Sequence, residues 1–175
     1  MLVLVVGSAA AAGTVRSGPQ VGVKVPGPFL PLNINGPEAG KKACLYCRNG
    51  SHPVAMVFAR EVTPTLVDLI KRIDAATGAH GDEDMGSFVV FCSDDQALPG
   101  QLAWLAKEEN LKHIILATFP AAGPPRYQIP PDADTTVVLY RHFTVKANQA
   151  FKKGECTARD VDKIMADLSL ILTEE

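Results

Sequence analysis

Apolar residues occur along the chain as short continuous runs separated by helix-like patterns. Residues 54–59, 87–92 and 113–117 are three such runs. A continuous run indicates a strand buried on both faces, since a half-exposed strand alternates. A fourth run at 135–140 is followed by alternating residues at 143–147, which predicts a hairpin with one solvent-exposed face.

Helix signals lie between and after these strands. Thr63 is a good N-cap with proline behind it, and apolar residues at helical spacing extend over 64–78. A second helix is expected over about 94–110, capped by the aspartates at its start. A third begins at Thr157, where Asp160 completes a capping-box-like pattern.

The order β-α-β-α-β-β-β-α predicts an α/β fold with a mixed sheet, a parallel centre and flanking helices. Residues 14–42 are rich in glycine and proline, which predicts an extended N-terminal arm. Within this arm, residues 29–34 fit a short edge strand, where proline is tolerated. Residues 43–175 are expected to form the folded domain.

Residues 1–13 look like the end of a secretory signal peptide. A short apolar stretch precedes small residues that fit an A-x-A cleavage site. The alternative is a first buried strand at residues 2–6. The first interpretation predicts a periplasmic or secreted protein with no membrane span in its mature chain, because no run approaches about 20 apolar residues.

Composition narrows the class of protein. The chain has 175 residues, 47% of them hydrophobic, and a net charge of −2. This length suits one domain, and the near-neutral charge argues against nucleic-acid binding. Four cysteines are too few for a disulfide-built scaffold.

The arrangement of elements resembles the thioredoxin-like superfamily, in particular its redoxin and peroxiredoxin branch. The likeness covers residues 25–172 and rests on segments 54–64, 88–94 and 136–140. It implies a thioredoxin-like mixed central sheet flanked by helices. It also implies thiol–disulfide chemistry as the family's activity.

The family's usual active-site residues are missing here. Thioredoxins carry their CxxC just after the central strand, whereas residues 59–66 contain no cysteine. Thr63-Pro64 matches the start of the peroxiredoxin Thr-Pro-x-Cys motif, but Leu66 stands where the thiol should be. Residues 132–136 match the cis-proline stretch of thioredoxins and contain no proline. Peroxidase activity by the family's mechanism is therefore not expected.

A CxxC does occur, but upstream of the central strand, at Cys44 and Cys47. The turn signal that follows it predicts a loop or the end of a short strand. A first interpretation is redox chemistry, since a CxxC closes a small ring that is comparatively easy to reduce. The basic residues Lys41, Lys42 and Arg48 would favour a thiolate.

Two other interpretations of the CxxC stay open. Two thiolates at this spacing make half of a zinc or copper(I) site, to which His52 could add a nitrogen. Alternatively, the pair is a static disulfide that ties down the arm.

Five further residues are singled out by the sequence. Cys92 ends an apolar run and is expected to be a small core residue. Cys156 precedes a helix and is expected to be an isolated surface thiol in a setting that favours the thiolate. Arg60 and Glu61 are expected to form a surface ion pair, and Trp104 to pack on a helix face.

Two functions follow as hypotheses. In the first, a secreted or periplasmic thioredoxin-like protein exchanges thiols and disulfides with a protein partner through Cys44 and Cys47, with no cofactor. By analogy with the family's N-terminal cysteine, Cys44 is expected to attack first and Cys47 to resolve the mixed disulfide. In the second, the chain is a non-catalytic binding or structural module.

Overall fold

The computed structural model describes residues 15–173, so the predicted signal-peptide remnant at 1–13 lies outside the described residues. Within these residues, six strands form one sheet in the order β1-β4-β3-β2-β5-β6. Their bounds are β1 Leu32–Asn33, β2 Val54–Ala59, β3 Gly86–Cys92, β4 Ile115–Phe119, β5 Thr135–Arg141 and β6 Thr144–Phe151.

Helices cover this sheet, which confirms the predicted α/β class with a mixed sheet. They are α1 Leu45–Asn49, α2 Pro64–Ala79, α3 Leu98–Glu108, α4 Ala158–Asp167 and α5 Ser169–Leu172, with a 3₁₀ turn at Gly81–Glu83. Among the described residues, no helix has the length and apolar character needed to cross a membrane.

Strand β2 lies at the centre, between parallel β3 and antiparallel β5. The parallel strands β2, β3 and β4 coincide with the continuous apolar runs, and β6 alternates on the outer edge as predicted. Strand β4 begins two residues later than expected. The reason is that Asp74 Oδ1 accepts the N–H groups of residues 112, 113 and 114 at 2.7–3.0 Å.

Helices α2 to α5 cover one face of the sheet. Their apolar faces form a first core in which Leu69, Ile73, Val161 and Ile164 are fully buried. Burying a side chain of this kind stabilises the fold by about 1.5–3 kcal/mol. This packing explains why the helical periodicity of these segments is clear in the sequence.

The arm, α1 and the loop at 120–131 cover the opposite face and form a second core. The ring of Phe29 lies 5.0 Å from the Tyr127 ring and 5.6 Å from that of Phe119, between centroids. The Tyr127 hydroxyl donates to the carbonyl of Gly27 at 2.6 Å. The arm is therefore held against the sheet by aromatic contacts.

Helix α3 departs from its prediction in two ways. It begins at Leu98 and not at the aspartates, because Asp95 Oδ1 accepts the N–H of Ala97 and Asp94 Oδ1 accepts that of Ala121. The aspartates thus organise a turn. Trp104 is 63% exposed, so the expectation that it packs on a helix face is wrong.

The capping box of α4 is confirmed. The Thr157 hydroxyl oxygen accepts the N–H of Asp160, and the Asp160 carboxylate accepts the N–H of Thr157 at 2.9 Å. Hydrogen bonds from the Thr157 side chain and backbone hold the pKa of Asp160 below its usual value. A depressed pKa means that the carboxylate stabilises the fold above the unfolded-state pKa of about 3.9.

We expect Asp160→Asn to lower the free energy of unfolding by about 0.5–1 kcal/mol at pH 7, since the pair is largely solvated. The difference from the native chain should shrink as the pH falls from about 4 through the depressed pKa, where the native carboxyl also protonates. Urea unfolding from pH 7 to pH 2.5 measures it. Asp132→Asn, at an exposed aspartate, is the control, and a difference that does not change with pH would contradict the expectation.

Candidate functional site

The CxxC lies on a short helix. Cys44 is the N-cap of α1 and is disulfide-bonded to Cys47, with a Cα–Cα distance of 5.2 Å. The Cys44 sulfur also accepts the Cys47 N–H at 3.0 Å. The predicted loop or strand end is thus wrong: burial of Leu45 and a side-chain bond from Asn49 to the Leu45 carbonyl hold a helix too short to be stable alone.

The disulfide is at the molecular surface. Cys47 is exposed, whereas Cys44 is half-buried. Beneath them, Leu45 is buried in the second core, and the Tyr46 ring contacts Phe143 with 5.4 Å between centroids. Cys47 is therefore the more accessible of the two cysteines.

Helix α1 and the family's thiol position lie on opposite faces of the sheet. Leu45 packs into the second core, and α1 ends at the strand edge where β3 begins, with Asn49 against Gly86. The family's position is the start of α2, after the other end of β2, and Leu66 there lies in the first core. The CxxC therefore does not occupy a shifted version of the usual active site.

The family's thiol position carries a core residue. Leu66 is 2% exposed, and its N–H donates to the Thr63 hydroxyl at 3.2 Å, which confirms the predicted N-cap. A buried alkyl side chain offers no nucleophile. The cap and the buried leucine at the start of α2 therefore serve the helix and the core.

Arg60 fills the space beside that helix start. Its guanidinium donates to carbonyls of the 121–133 loop at 2.9–3.3 Å: those of Ala121, Ile129, Pro130 and Ala133. The expected ion pair between Arg60 and Glu61 is wrong, because Glu61 instead pairs with Lys153 at 2.5 Å. The polar groups at this end of β2 are used to fix a loop.

Asp134 occupies the stretch that corresponds to the family's cis-proline. Its carbonyl accepts the Arg60 N–H at 3.0 Å, and its side chain is half-buried. Burial, followed by the charge of Glu61, raises the pKa of Asp134 above its usual value. Residues 15–173 contain no cis peptide bond.

The other two cysteines are free thiols with raised pKa values. Cys92 is buried in the second core, as expected, and burial raises its pKa to about 11. Cys156 is half-buried against the first core, and burial together with Asp160 and Asp134 raises its pKa to about 11. The expectation that its setting favours the thiolate is therefore wrong.

The metal interpretation gains no support. Across residues 15–173, no group of three or more histidine, cysteine, aspartate or glutamate side chains is placed to hold a metal ion. The His52 imidazole lies 3.8 Å from the Asp84 carboxylate, and the two thiols at 44 and 47 are joined to each other.

A cleft of about 420 Å³ opens beside α1, and sequence reasoning missed it. We call it the α1 cleft. Its walls are the last residues of α1, the turn at His52, the end of α2 and the residues before β4, including Arg48, Lys112 and His113. Arg48 and His52 were the signals that could have found it, since the sequence places both shortly after Cys47.

Comparisons with known proteins define the fold. No protein-family model matches the chain, and no curated protein matches its sequence. The structure, however, is similar to many solved structures of one fold class. The molecule has the thioredoxin-like fold, which confirms the resemblance at that level.

Three of these solved structures illustrate the likeness. A Chlorobium tepidum protein assigned as the thiol:disulfide interchange protein DsbE has 13% identity and a TM-score of 0.66, covering 88% of this chain and 99% of its own. A secreted Mycobacterium tuberculosis disulfide oxidoreductase, homologous to E. coli DsbE, has 11% identity and a TM-score of 0.54 over 81% and 94%. Peroxidoxin BcpB of the same species has 14% identity and a TM-score of 0.55 over 90% and 98%. Identities this low establish the fold alone.

We expect Arg60→Ala to lower the free energy of unfolding by about 2–4 kcal/mol, because it leaves several loop carbonyls without their donor. Arg60→Lys should recover less than half of this loss, since an ammonium group cannot reach the four carbonyls together. Urea unfolding and limited proteolysis of the 121–133 loop measure both effects. Arg16→Ala, at an exposed arginine of the arm, is the control. If the 121–133 loop of the Arg60→Ala variant resists protease as the native loop does, Arg60 does not have this role.

Proposed function

We propose that the protein exchanges thiols and disulfides with a partner protein through Cys44 and Cys47. The observation that supports this most directly is a surface disulfide, closed within one helical turn, on a chain with the thioredoxin-like fold. An exposed disulfide can be attacked by an incoming thiolate, which is the elementary step of exchange.

A purely structural role for the disulfide is less well supported. It joins two positions of one turn, and closing so short a loop stabilises the fold by about 2 kcal/mol in the chain-entropy model. The arm is already held by Phe29 and by the Tyr127–Gly27 hydrogen bond. A disulfide between residues only three apart does not link the arm to a distant part of the chain.

The difference in exposure between Cys47 and Cys44 suggests which sulfur reacts with the partner first. The partner's thiolate attacks the exposed Cys47 sulfur, forms a mixed disulfide and releases Cys44 as a thiolate. The N–H of Cys47 lies 3.0 Å from that sulfur and would stabilise its negative charge. A second partner thiolate then displaces Cys47. Two electrons pass from the partner to the protein, the partner gains a disulfide, and its two protons are balanced by those taken up at Cys44 and Cys47.

This order replaces the family analogy in which Cys44 attacks first. In the reverse direction, the cysteine that bonds to the partner is the same one, so Cys47 would attack a partner disulfide and Cys44 would resolve it. The half-buried position of Cys44 suits a residue that reacts only within the protein.

A non-catalytic binding module is the second candidate. It is favoured by the family's thiol position, where Leu66 is buried and Arg60 is used to hold a loop. If this candidate is right, the disulfide is static and exchange activity is absent.

The compartment of the protein belongs to the same proposal. Disulfides persist in oxidising compartments, and residues 1–13 fit the end of a signal peptide. Both arguments support a periplasmic or secreted location.

We expect the protein to accelerate insulin reduction by dithiothreitol, and Cys44→Ser and Cys47→Ser each to reduce the rate to that of dithiothreitol alone, since exchange needs both sulfurs. Cys156→Ser is the matched control and should keep full activity, because that thiol has a raised pKa. Turbidity of the reduced insulin chains reports the rate.

The same variants test the order of events. Reduced Cys44→Ser should accumulate a mixed disulfide with insulin through Cys47, detected by non-reducing electrophoresis and mass spectrometry. Accumulation in Cys47→Ser instead would make Cys44 the attacking residue. Native activity that persists in both variants would refute exchange through Cys44 and Cys47, and a native chain that does not accelerate the reaction would leave the binding module as the remaining candidate.

In cells that express the chain naturally, we expect fractionation to recover the protein outside the cytoplasm. Alkylation in acid-quenched samples should then show whether the CxxC is oxidised there. A cytoplasmic protein with both thiols reduced would contradict the proposed location.

A further inference from the structure

We propose that the α1 cleft binds an acidic segment of the partner polypeptide and so presents the partner's cysteine to Cys47. This inference rests on the proposed function for the role of the bound segment. The binding itself is a separate claim that has its own test.

The cleft is bordered by the helix that carries the disulfide. Leu45 and Arg48 line it, and these residues directly follow Cys44 and Cys47 in α1. A segment bound in the cleft therefore contacts the same short helix that carries the sulfurs. Its volume of about 420 Å³ lies within the range of small binding sites and suits a few residues of a peptide.

The cleft walls are rigid and preformed. Asp74 Oδ1 accepts three consecutive N–H groups from residues 112–114, which fixes the wall opposite α1. A Cβ at Gly78 would lie 2.6 Å from His113 Nε2, and a Cβ at Gly86 would lie 2.0 Å from Asn49 Oδ1. The two glycines thus allow the walls to stand this close, and a preformed site reduces the ordering cost of binding.

The charged groups of the cleft are mostly basic. Arg48 and Lys112 line it, and within residues 15–173 neither side chain forms an ion pair or hydrogen bond. The imidazoles of His52 and His113 add donors. Asp84 is the carboxylate of the lining and faces His52 at 3.8 Å. Because Arg48 and Lys112 outnumber Asp84 among the charged side chains of the lining, a ligand that brings carboxylates is favoured.

The binding test uses two fluorescent peptides in which serine replaces cysteine, one flanked by glutamates and one by lysines. We expect the native chain to bind the acidic peptide at least about tenfold more tightly, with binding weakened by salt. Lys112→Glu should reduce acidic-peptide affinity by about tenfold, and Lys112→Gln by less. Fluorescence anisotropy measures the affinities.

Lys107→Glu is the matched control, because it makes the same charge change on an exposed part of α3 away from the cleft. Acidic-peptide affinity that Lys112→Glu and Lys112→Gln leave unchanged, or that Lys107→Glu weakens equally, would overturn the proposal. Equal affinity of the native chain for both peptides would also overturn it. Thermal unfolding confirms that each variant is folded.

The exchange reaction is followed separately with the two-cysteine versions of the peptides and with dithiothreitol. A disulfide that none of these thiols opens would refute the proposed function, while anisotropy would still decide the cleft. Rapid exchange without a preference for the acidic peptide would refute the cleft's role and leave the proposed function intact.

Discussion

The burial of strand β2 on both faces is the constraint on which the molecule depends. All six of its residues are at most 1% exposed, between a core of helices on one face and a core of aromatic and arm residues on the other. No side chain of this strand can meet a partner. Groups that meet a partner must therefore lie at its ends or on the elements that cover its faces, and in this chain the disulfide-bonded cysteine pair lies on a covering helix.

At the end of β2 where thioredoxins and peroxiredoxins carry their thiol, this chain has contacts that connect structural elements. Arg60 holds the 121–133 loop through its carbonyls, and this loop carries Tyr127, whose hydroxyl binds Gly27. Tyr127 also packs against Phe29, so the arm is fixed to the second face. The arm leads directly into α1. One set of contacts thus joins the start of α2, where the family carries its thiol, to the helix that carries the disulfide in this chain.

The sequence was sufficient to predict the strands and long helices, because a buried strand or helix face leaves a regular apolar pattern over many residues. Helix α1 was missed because five residues are too few to show a helical repeat of apolar positions. Its stability comes from burial of Leu45 among second-core residues that lie far away in the sequence. The role of Arg60 depends on carbonyls some 60–70 residues away. The raised pKa of Cys156 comes from burial, then from Asp160 and Asp134, and of these causes only Asp160 lies nearby in the sequence.

Thiol–disulfide exchange requires a protein whose fold survives with the disulfide open as well as closed. Three of the contacts that hold α1 in place suit this requirement, because they do not involve the sulfurs. Leu45 is buried, Asn49 donates to the Leu45 carbonyl, and Tyr46 contacts Phe143. Opening the disulfide would release only one turn of constraint, so we expect the reduced protein to retain both cores. A disulfide joining the arm to the sheet would lack this property, which is the physical reason to favour exchange over a static tie.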